Sequence, residues 1–292
     1  MGARSAGGRG TTGWTTGRTT VVAGGTAGLG LGIALGRLEA GDAVTVVGRD
    51  APRGEAFLER ARAAGADSRA RFVAGDLTTA AGAWDVVDRV QERHDVVDAL
   101  VLTAFAPQLR RRVTGEGVET SLSLYYLARR VLGEGLGPQL DRAARPVIVS
   151  LNGVGVVHGR VHWDDLTLER RYRALEATTQ GGRAAELLAV AHANAVPERR
   201  ARYVLAHPGF TRTAATGLPW AARALTRVAA LAAQPVGRAV SPVLALVDEP
   251  PAAPLTAIDR GRPVDLGTFA DRAAAARLEE VMRPFAARPA PA

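Results

Sequence analysis

The sequence predicts an α/β fold, a doubly wound parallel sheet of about seven strands with helices on both faces. Three observations lead there. Short β-branched runs alternate with Ala-, Leu- and Arg-rich stretches of helical length. The first run, TTVVA, passes directly into a glycine-rich turn and then a helical pattern. The chain has 292 residues, 47% of them apolar, enough for one large core.

Taken in order, residues 1–17 hold no apolar stretch, so they predict a flexible leader without a secretory signal. Strands are expected at TTVVA (19–23), AVTVVG (43–48), RFVA (71–74), ALVLT (99–103), PVIVSL (146–151), RYVLA (202–206) and PLTAI (254–258). Helices are expected near 29–40, 52–65, 79–93, 115–135 and 172–195. Beyond Pro208 the alternation stops, and residues 214–247, with a helical face around 219–247, predict a small helical substrate lid. A last helix near 268–285 closes a single domain over 18–287, and 288–292 reads as a frayed tail.

Composition excludes several classes of function. There is no cysteine, hence no disulfide framework, thiolate metal site or cysteine nucleophile. All 37 basic residues are arginine, and the net charge is +8, but only Arg110, Arg111 and Arg112 form a tight run. Dispersed arginines read as a solvated surface, so no nucleic-acid partner is expected. The apolar region WAARALTRVAALAAQPVGRAVSPVLALV is interrupted by three arginines and two prolines, which predicts no membrane span and a cytoplasmic protein.

The strongest motif is VVAGGTAGLGLG at 21–32, where Gly24, Gly28 and Gly30 have the spacing G-x-x-x-G-x-G. Such a turn lets backbone approach a pyrophosphate while a helix N-terminus directs its N–H groups at it. Thr26 and Leu29 complete the loop. Arg49, ending the second strand, stands where an acidic residue would hold a ribose 2′-hydroxyl; arginine favours a 2′-phosphate, hence NADP(H). Asp76 and Leu77 end the third strand, where Asp76 suits either an adenine amino group or a helix N-cap. Thr103 and Ala104 end the fourth.

With GRTTVVAGGTAGLG, AGDLT, TGEGVETSLSLYYLARRVL, VHWDDLTLERRY and HPGFTRT, residues 14–213 resemble the short-chain dehydrogenase/reductase family, in its retinol-dehydrogenase-like actinobacterial branch. The resemblance implies a Rossmann-like fold, a small apolar substrate, and closure over the nicotinamide by Pro208, Gly209 and Thr213. It also implies assembly through two long helices as a homodimer or homotetramer. Its proton relay uses tyrosine, a lysine four residues later, serine and asparagine. This chain has no lysine.

The tyrosine and lysine positions fall on Thr179 and Arg183, or without a gap on Thr178 and Gly182; the asparagine falls on Tyr125 and the serine on Asn152. Ser150 is expected on the opposite face of its strand from Asn152. Tyr125, Asn152, Thr179, Arg183 and His158 are therefore the candidate catalytic residues, and Arg183, a fixed cation that would relay protons poorly, is also a candidate cofactor contact to the ribose or a phosphate. Tyr125/Arg129 and Tyr126/Arg130 each repeat a tyrosine–cation spacing on one helical face, Tyr126 being expected to pack at a subunit interface. His162, Asp164 and Asp165 are expected to be structural rather than ligands of a metal, and His94, His192 and His207 to be surface or loop residues. Together these residues predict an atypical NADP(H)-dependent reductase of an imine or activated C=C bond in specialised metabolism. A non-redox cyclase or isomerase, or a catalytically silent cofactor-binding protein, are the alternatives.

Overall fold

A computed structural model describes residues 17–154, 159–195, 199–209 and 236–288. Its sheet has eight strands in the order β3-β2-β1-β4-β5-β6-β7-β8. The strands are β1 (Thr19–Ala23), β2 (Ala43–Gly48), β3 (Ala70–Ala74), β4 (Ala99–Leu102), β5 (Val147–Leu151), β6 (Arg202–His207), β7 (Leu255–Asp259) and β8 (Arg262–Pro263). The first seven run parallel, and β8, which the sequence did not predict, is a two-residue antiparallel return. The strand order reverses between β1 and β4, a switch point that opens a crevice at the carboxyl ends.

The helices are α1 (Gly28–Glu39), α2 (Ala51–Ala63), α3 (Ala80–Gln91), α4 (Thr120–Leu122), α5 (Ala128–Gly135), α6 (Gly137–Asp141), α7 (Ala174–Asn194), α8 (Val236–Asp248) and α9 (Arg272–Met282). A π-helical turn, Ser123–Leu127, joins α4 to α5. The central strands are apolar on both faces because helices cover both. Val21, Leu100, Leu102, Ile148 and Leu205 pack under α3, α5, α7 and α9; Val22, Val46, Val101, Val149 and Val204 pack under α1, α2 and α8.

Local chemistry sets the boundaries. Asp50, Thr79 and Asp271 accept the backbone N–H three residues on and start α2, α3 and α9. The helix expected from 115 begins only at Thr120, since Gly117 takes φ +83° in a tight turn and Glu119 caps the next N–H groups. The final helix runs 272–282 rather than 268–285, its start set by the Asp271 cap. Of the expected lid, 236–247 lies in α8; 214–235 lie outside the described residues.

The amino edge of the sheet carries a buried ionic cluster. Arg37 of α1, 1% exposed, pairs with Asp42 at 2.7 Å and with Asp248 of α8 at 2.5 Å. Thr20 donates its hydroxyl to Asp42 at 2.8 Å. The cluster ties α8 to β1 and β2 at the end opposite the crevice. Replacing Asp42 by Ala leaves the buried Arg37 guanidinium with Asp248 alone and Thr20 without its acceptor, and is expected to cost about 3 kcal/mol, read as a lower urea midpoint.

His192 departs from the surface or loop placement expected of it, while His94 lies half-buried in the loop after α3. His192 of α7 is 7% exposed and shares a 2.9 Å hydrogen bond with the Ala201 carbonyl; His94 shares one of 2.8 Å with Thr45. Burial lowers the pKa of both, with Arg71 and Arg93 adding to the effect on His94. A histidine depressed in the fold takes up protons first in the unfolded chain. The stability it contributes is complete above the unfolded value of about 6.5 and is lost as pH falls through that value toward the folded one. The melting temperature is therefore expected to fall from about pH 7 to about pH 5, with a shallower slope in His192→Gln.

Candidate active site

The crevice starts at the glycine turn. Gly24 has φ +88°, and a Cβ there would sit 2.6 Å from the Ala104 nitrogen and 2.9 Å from the Thr103 hydroxyl. At Gly30 a Cβ would overlap the Gly24 carbonyl and the Thr103 hydroxyl. Thr103 donates both its N–H (2.8 Å) and its hydroxyl (2.9 Å) to the Ala23 carbonyl, while Gly24 N–H donates to Val47 at 2.9 Å. The turn thus lies flat between the ends of β2 and β4. Thr26 packs over Gly48, and Leu29 packs into the core beneath α1. Helix α1 begins at Gly28 with no side-chain cap and no acidic residue in its first turn. Its first N–H groups and dipole end face the crevice uncompensated by side chains.

The flanking positions are ordered along the carboxyl edge. Arg49 is exposed and has neither an ion pair nor a hydrogen bond among the described residues. Asp76 accepts the Thr78 N–H (2.9 Å) and hydroxyl (2.8 Å) on one oxygen. Its alternative reading as a helix cap is corrected, because Thr79 caps α3. Leu77 is buried below it. Pro208 and Gly209, with φ +88° at the glycine, follow β6. Thr213 and His158 lie outside the described residues.

The run TTQGGR occupies the second and third turns of α7 and faces the π turn and the loop after β5. Thr178 and Thr179 return their hydroxyls to the Ala174 and Glu176 carbonyls at 2.8 and 3.2 Å. Gln180 is fully buried, accepting His162 N–H and donating to the Leu166 carbonyl, both at 2.9 Å, and so clamps the loop to α7. At Gly181 a Cβ would overlap the Tyr125 ring; at Gly182 it would meet nothing within 4 Å. Arg183 donates to Glu186 at 3.0 Å and to the Phe269 carbonyl at 2.8 Å.

Tyr125 sits in the π turn, 3% exposed, stacked on Phe105 at 5.4 Å, with its hydroxyl accepting Ala106 N–H at 3.3 Å. Burial pushes its pKa well above that of an ordinary phenol, outweighing the Ala106 hydrogen bond and nearby Arg129. A phenol so placed is a poor proton donor at neutral pH. Tyr126 is fully buried within the chain's own core. Ser150 faces α5, correcting the expectation that it turns away. There the buried Arg129, whose ordinary pKa burial lowers, donates to the Ser150 hydroxyl at 2.6 Å and to the Leu151 carbonyl at 3.0 Å.

Asn152 extends β5, its N–H bonded to the Ala206 carbonyl at 3.1 Å. Its side-chain oxygen accepts Val154 N–H at 3.2 Å, which orients the amide, and its buried Nδ2 has no partner among the described residues. On the next strands, His207 and Asp259 pair in register, Nδ1 to Oδ1 at 2.7 Å. Burial raises the Asp259 pKa, but hydrogen bonds from His207 and Arg260 outweigh it and hold the carboxyl below its ordinary value. Sequence reasoning missed Gln180 and the His207–Asp259 pair, and it noted Arg129 for its spacing from Tyr125 but not for its bond to Ser150. The pair had a signal, a polar residue ending each of two neighbouring strands.

Comparisons with known proteins agree with this layout. The family model described as short chain dehydrogenase matches residues 18–122. A human protein named dehydrogenase/reductase SDR family member 12 is 28% identical over 155 residues, 53% of this chain and 48% of the relative. A Streptomyces sp. (strain C5) relative, DnrU, named for daunorubicin C-13 ketoreduction, is 29% identical over 199 residues, 68% of this chain and 67% of the relative. The chain thus spans about half to two thirds of the length of these curated relatives. A solved Mycobacterium paratuberculosis structure superposes with TM-score 0.71 at 20% identity, covering 94% of this chain and 95% of that one. A Burkholderia cenocepacia short chain dehydrogenase in complex with NADP gives TM-score 0.63 at 20% identity, with 85% and 99% covered.

The two glycines of TTQGGR predict opposite effects. Gly181→Ala displaces the Tyr125 ring and is expected to destabilise by about 1–3 kcal/mol. Gly182→Ala enters open space on a helix and is expected to stabilise by up to about 1 kcal/mol. Chemical denaturation of the two variants against the parent reads both signs.

Proposed function

We propose that this chain, with a short chain dehydrogenase match over residues 18–122 and the fold of solved proteins of that name, binds NADP(H) and reduces an imine or an electron-poor C=C bond. It does so without the Ser-Tyr-Lys relay. The observation that carries the reading is a contrast. Three features support a nucleotide cradle: Gly24 and Gly30 leave no room for a side chain, α1 has an uncapped start, and Arg49 stands exposed without a partner among the described residues. The relay positions, by contrast, hold Thr179 and an Arg183 tied to Glu186 and Phe269.

In this reading Gly24, Thr26, Gly28, Leu29 and Gly30 carry the pyrophosphate, and Arg49 pairs with the 2′-phosphate. Asp76 and Leu77 flank the adenine, and Thr103, Ala104, Pro208, Gly209 and Thr213 line the nicotinamide end. The cofactor, when bound, supplies the hydride. The chain's own contribution is positioning, the larger part of what such a transfer requires. The oriented Asn152 amide holds the acceptor group. His207, held by Asp259 at the same edge, carries the proton to the nitrogen or carbon that the hydride leaves electron-rich. Tyr125 and Thr179 shape an apolar wall, since the phenol is buried and the threonine hydroxyl returns to its own helix. A Streptomyces relative named for reduction of an antibiotic ketone supports a substrate from specialised metabolism.

Fluorescence titration with NADPH and NADH tests the cofactor. NADPH is expected to bind at least tenfold more tightly than NADH, and Arg49→Ala to erase most of that difference, one charge-assisted contact being worth about 1.5–3 kcal/mol. Absence of binding by either would defeat the reductase reading and leave a non-redox cyclase or isomerase on the same scaffold. With binding in place, NADPH oxidation is followed with 2-methyl-1-pyrroline and 2-cyclohexenone. Asn152→Ala and His207→Gln are expected to lower kcat by at least tenfold, with NADPH affinity within twofold of the parent.

A further inference from the structure

Behind the carboxyl end of β5 the chain buries a positive charge with no negative one beside it. Arg129 of α5 is 5% exposed, and no carboxylate of the described residues pairs with it; the titratable groups around it are two phenols, Tyr125 and Tyr203. Burial raises the pKa of both, so neither phenol is ionised at neutral pH. The guanidinium uses two of its nitrogens on the Ser150 hydroxyl at 2.6 Å and the Leu151 carbonyl at 3.0 Å, and its buried Nε has no hydrogen-bond partner among the described residues. An isolated buried cation is among the costliest groups a fold can hold, and a counter-ion removes most of that cost.

The surroundings point to the kind of counter-ion. Arg129 lines a cavity of about 50 Å3 between α5, α7 and β6, larger than the roughly 10–15 Å3 that one water needs. The half-buried Arg199 lines it too, as does Tyr203, whose buried hydroxyl makes no hydrogen bond among the described residues. The carboxylates of the wall are already committed, since Glu134 and Glu279 pair with Arg130 at 3.3 and 3.1 Å. His192, also on the wall, has its pKa lowered by burial and is neutral at pH 7. Three arginines against two glutamates leave the wall one positive charge in surplus. One monovalent anion balances it.

We propose that this cavity holds a small monovalent anion, chloride, against Arg129, with Tyr203 and Arg199 as the further donors. A halide suits the wall better than a phosphate, whose second negative charge would go unmatched beside Glu134 and Glu279. The site is separate from the nucleotide cradle and does not depend on what the crevice binds. It bears on the crevice all the same: Arg129 holds the carbonyl of Leu151, the residue before Asn152, so an anion that fixes the guanidinium also fixes the end of β5.

Thermal unfolding of the full chain tests this as sodium chloride replaces sodium gluconate at constant ionic strength. The melting temperature is expected to rise by about 2 °C or more by about 0.2 M chloride, and Arg129→Gln to lose the rise. No rise in the parent, or an equal rise in Arg129→Gln, overturns the proposal. Anomalous diffraction from crystals of the parent grown in sodium bromide needs no variant. A peak in the cavity beside Arg129 is expected, and peaks on the outer surface alone overturn it. Glu198 is the one acidic side chain in the segments outside the described residues. Glu198→Gln is expected to keep the chloride effect; an effect seen only in that variant means that the chain's own carboxylate meets Arg129, and overturns the proposal.

Discussion

The carboxyl edge of this protein depends on how closely the turn after β1 lies against the end of β4. Ala23 offers one carbonyl, and Thr103 bonds it twice, through N–H and hydroxyl. That double bond draws Thr103 and Ala104 down onto Gly24 until no Cβ fits at Gly24 or Gly30. The constraint spreads outward. With the turn pinned, α1 begins at Gly28 aimed at the switch point, β2 delivers Arg49 beside it, and β5 and β6 bring Asn152 and His207 to the same edge.

The two edges of the sheet use polar groups in different ways. At the amino edge, Arg37, Asp42, Asp248 and Thr20 form a cluster whose charges face one another. At the carboxyl edge, the Asn152 amide nitrogen and the exposed Arg49 have no partner among the described residues. The amino-edge cluster is not fully satisfied either, since one oxygen each of Asp42 and Asp248 has no hydrogen-bond partner among the described residues.

Much of this was legible in the residues because it is local. Strand runs and the glycine turn follow from periodicity and spacing, whereas the Asp50 and Asp271 caps, though local too, emerged only in the structure. What could not be read depends on contacts distant in sequence. The meaning of TTQGGR is the clearest case. Gly181 is explained by the Tyr125 ring 56 positions earlier, and Gln180 by the backbone of a loop, neither of which leaves a pattern in α7 itself. His192 reads as polar yet is buried, because a single carbonyl, that of Ala201, satisfies it. The C-terminal helix was visible as a helix, but its apolar stripe carries no label saying that α5 and α7 are what it covers.

The proposed function rests on a phosphate cradle selective for a 2′-phosphate, set beside Thr179 and Arg183 rather than a tyrosine and a lysine. Calorimetric binding of 2′-phosphoadenosine 5′-phosphate against adenosine 5′-phosphate tests it most directly, since the two ligands differ only in the group that Arg49 would meet and neither involves catalysis. The account predicts at least tenfold tighter binding of the bisphosphate, a gap that narrows as salt screens the exposed guanidinium. Equal affinities, or no binding of either, would contradict it.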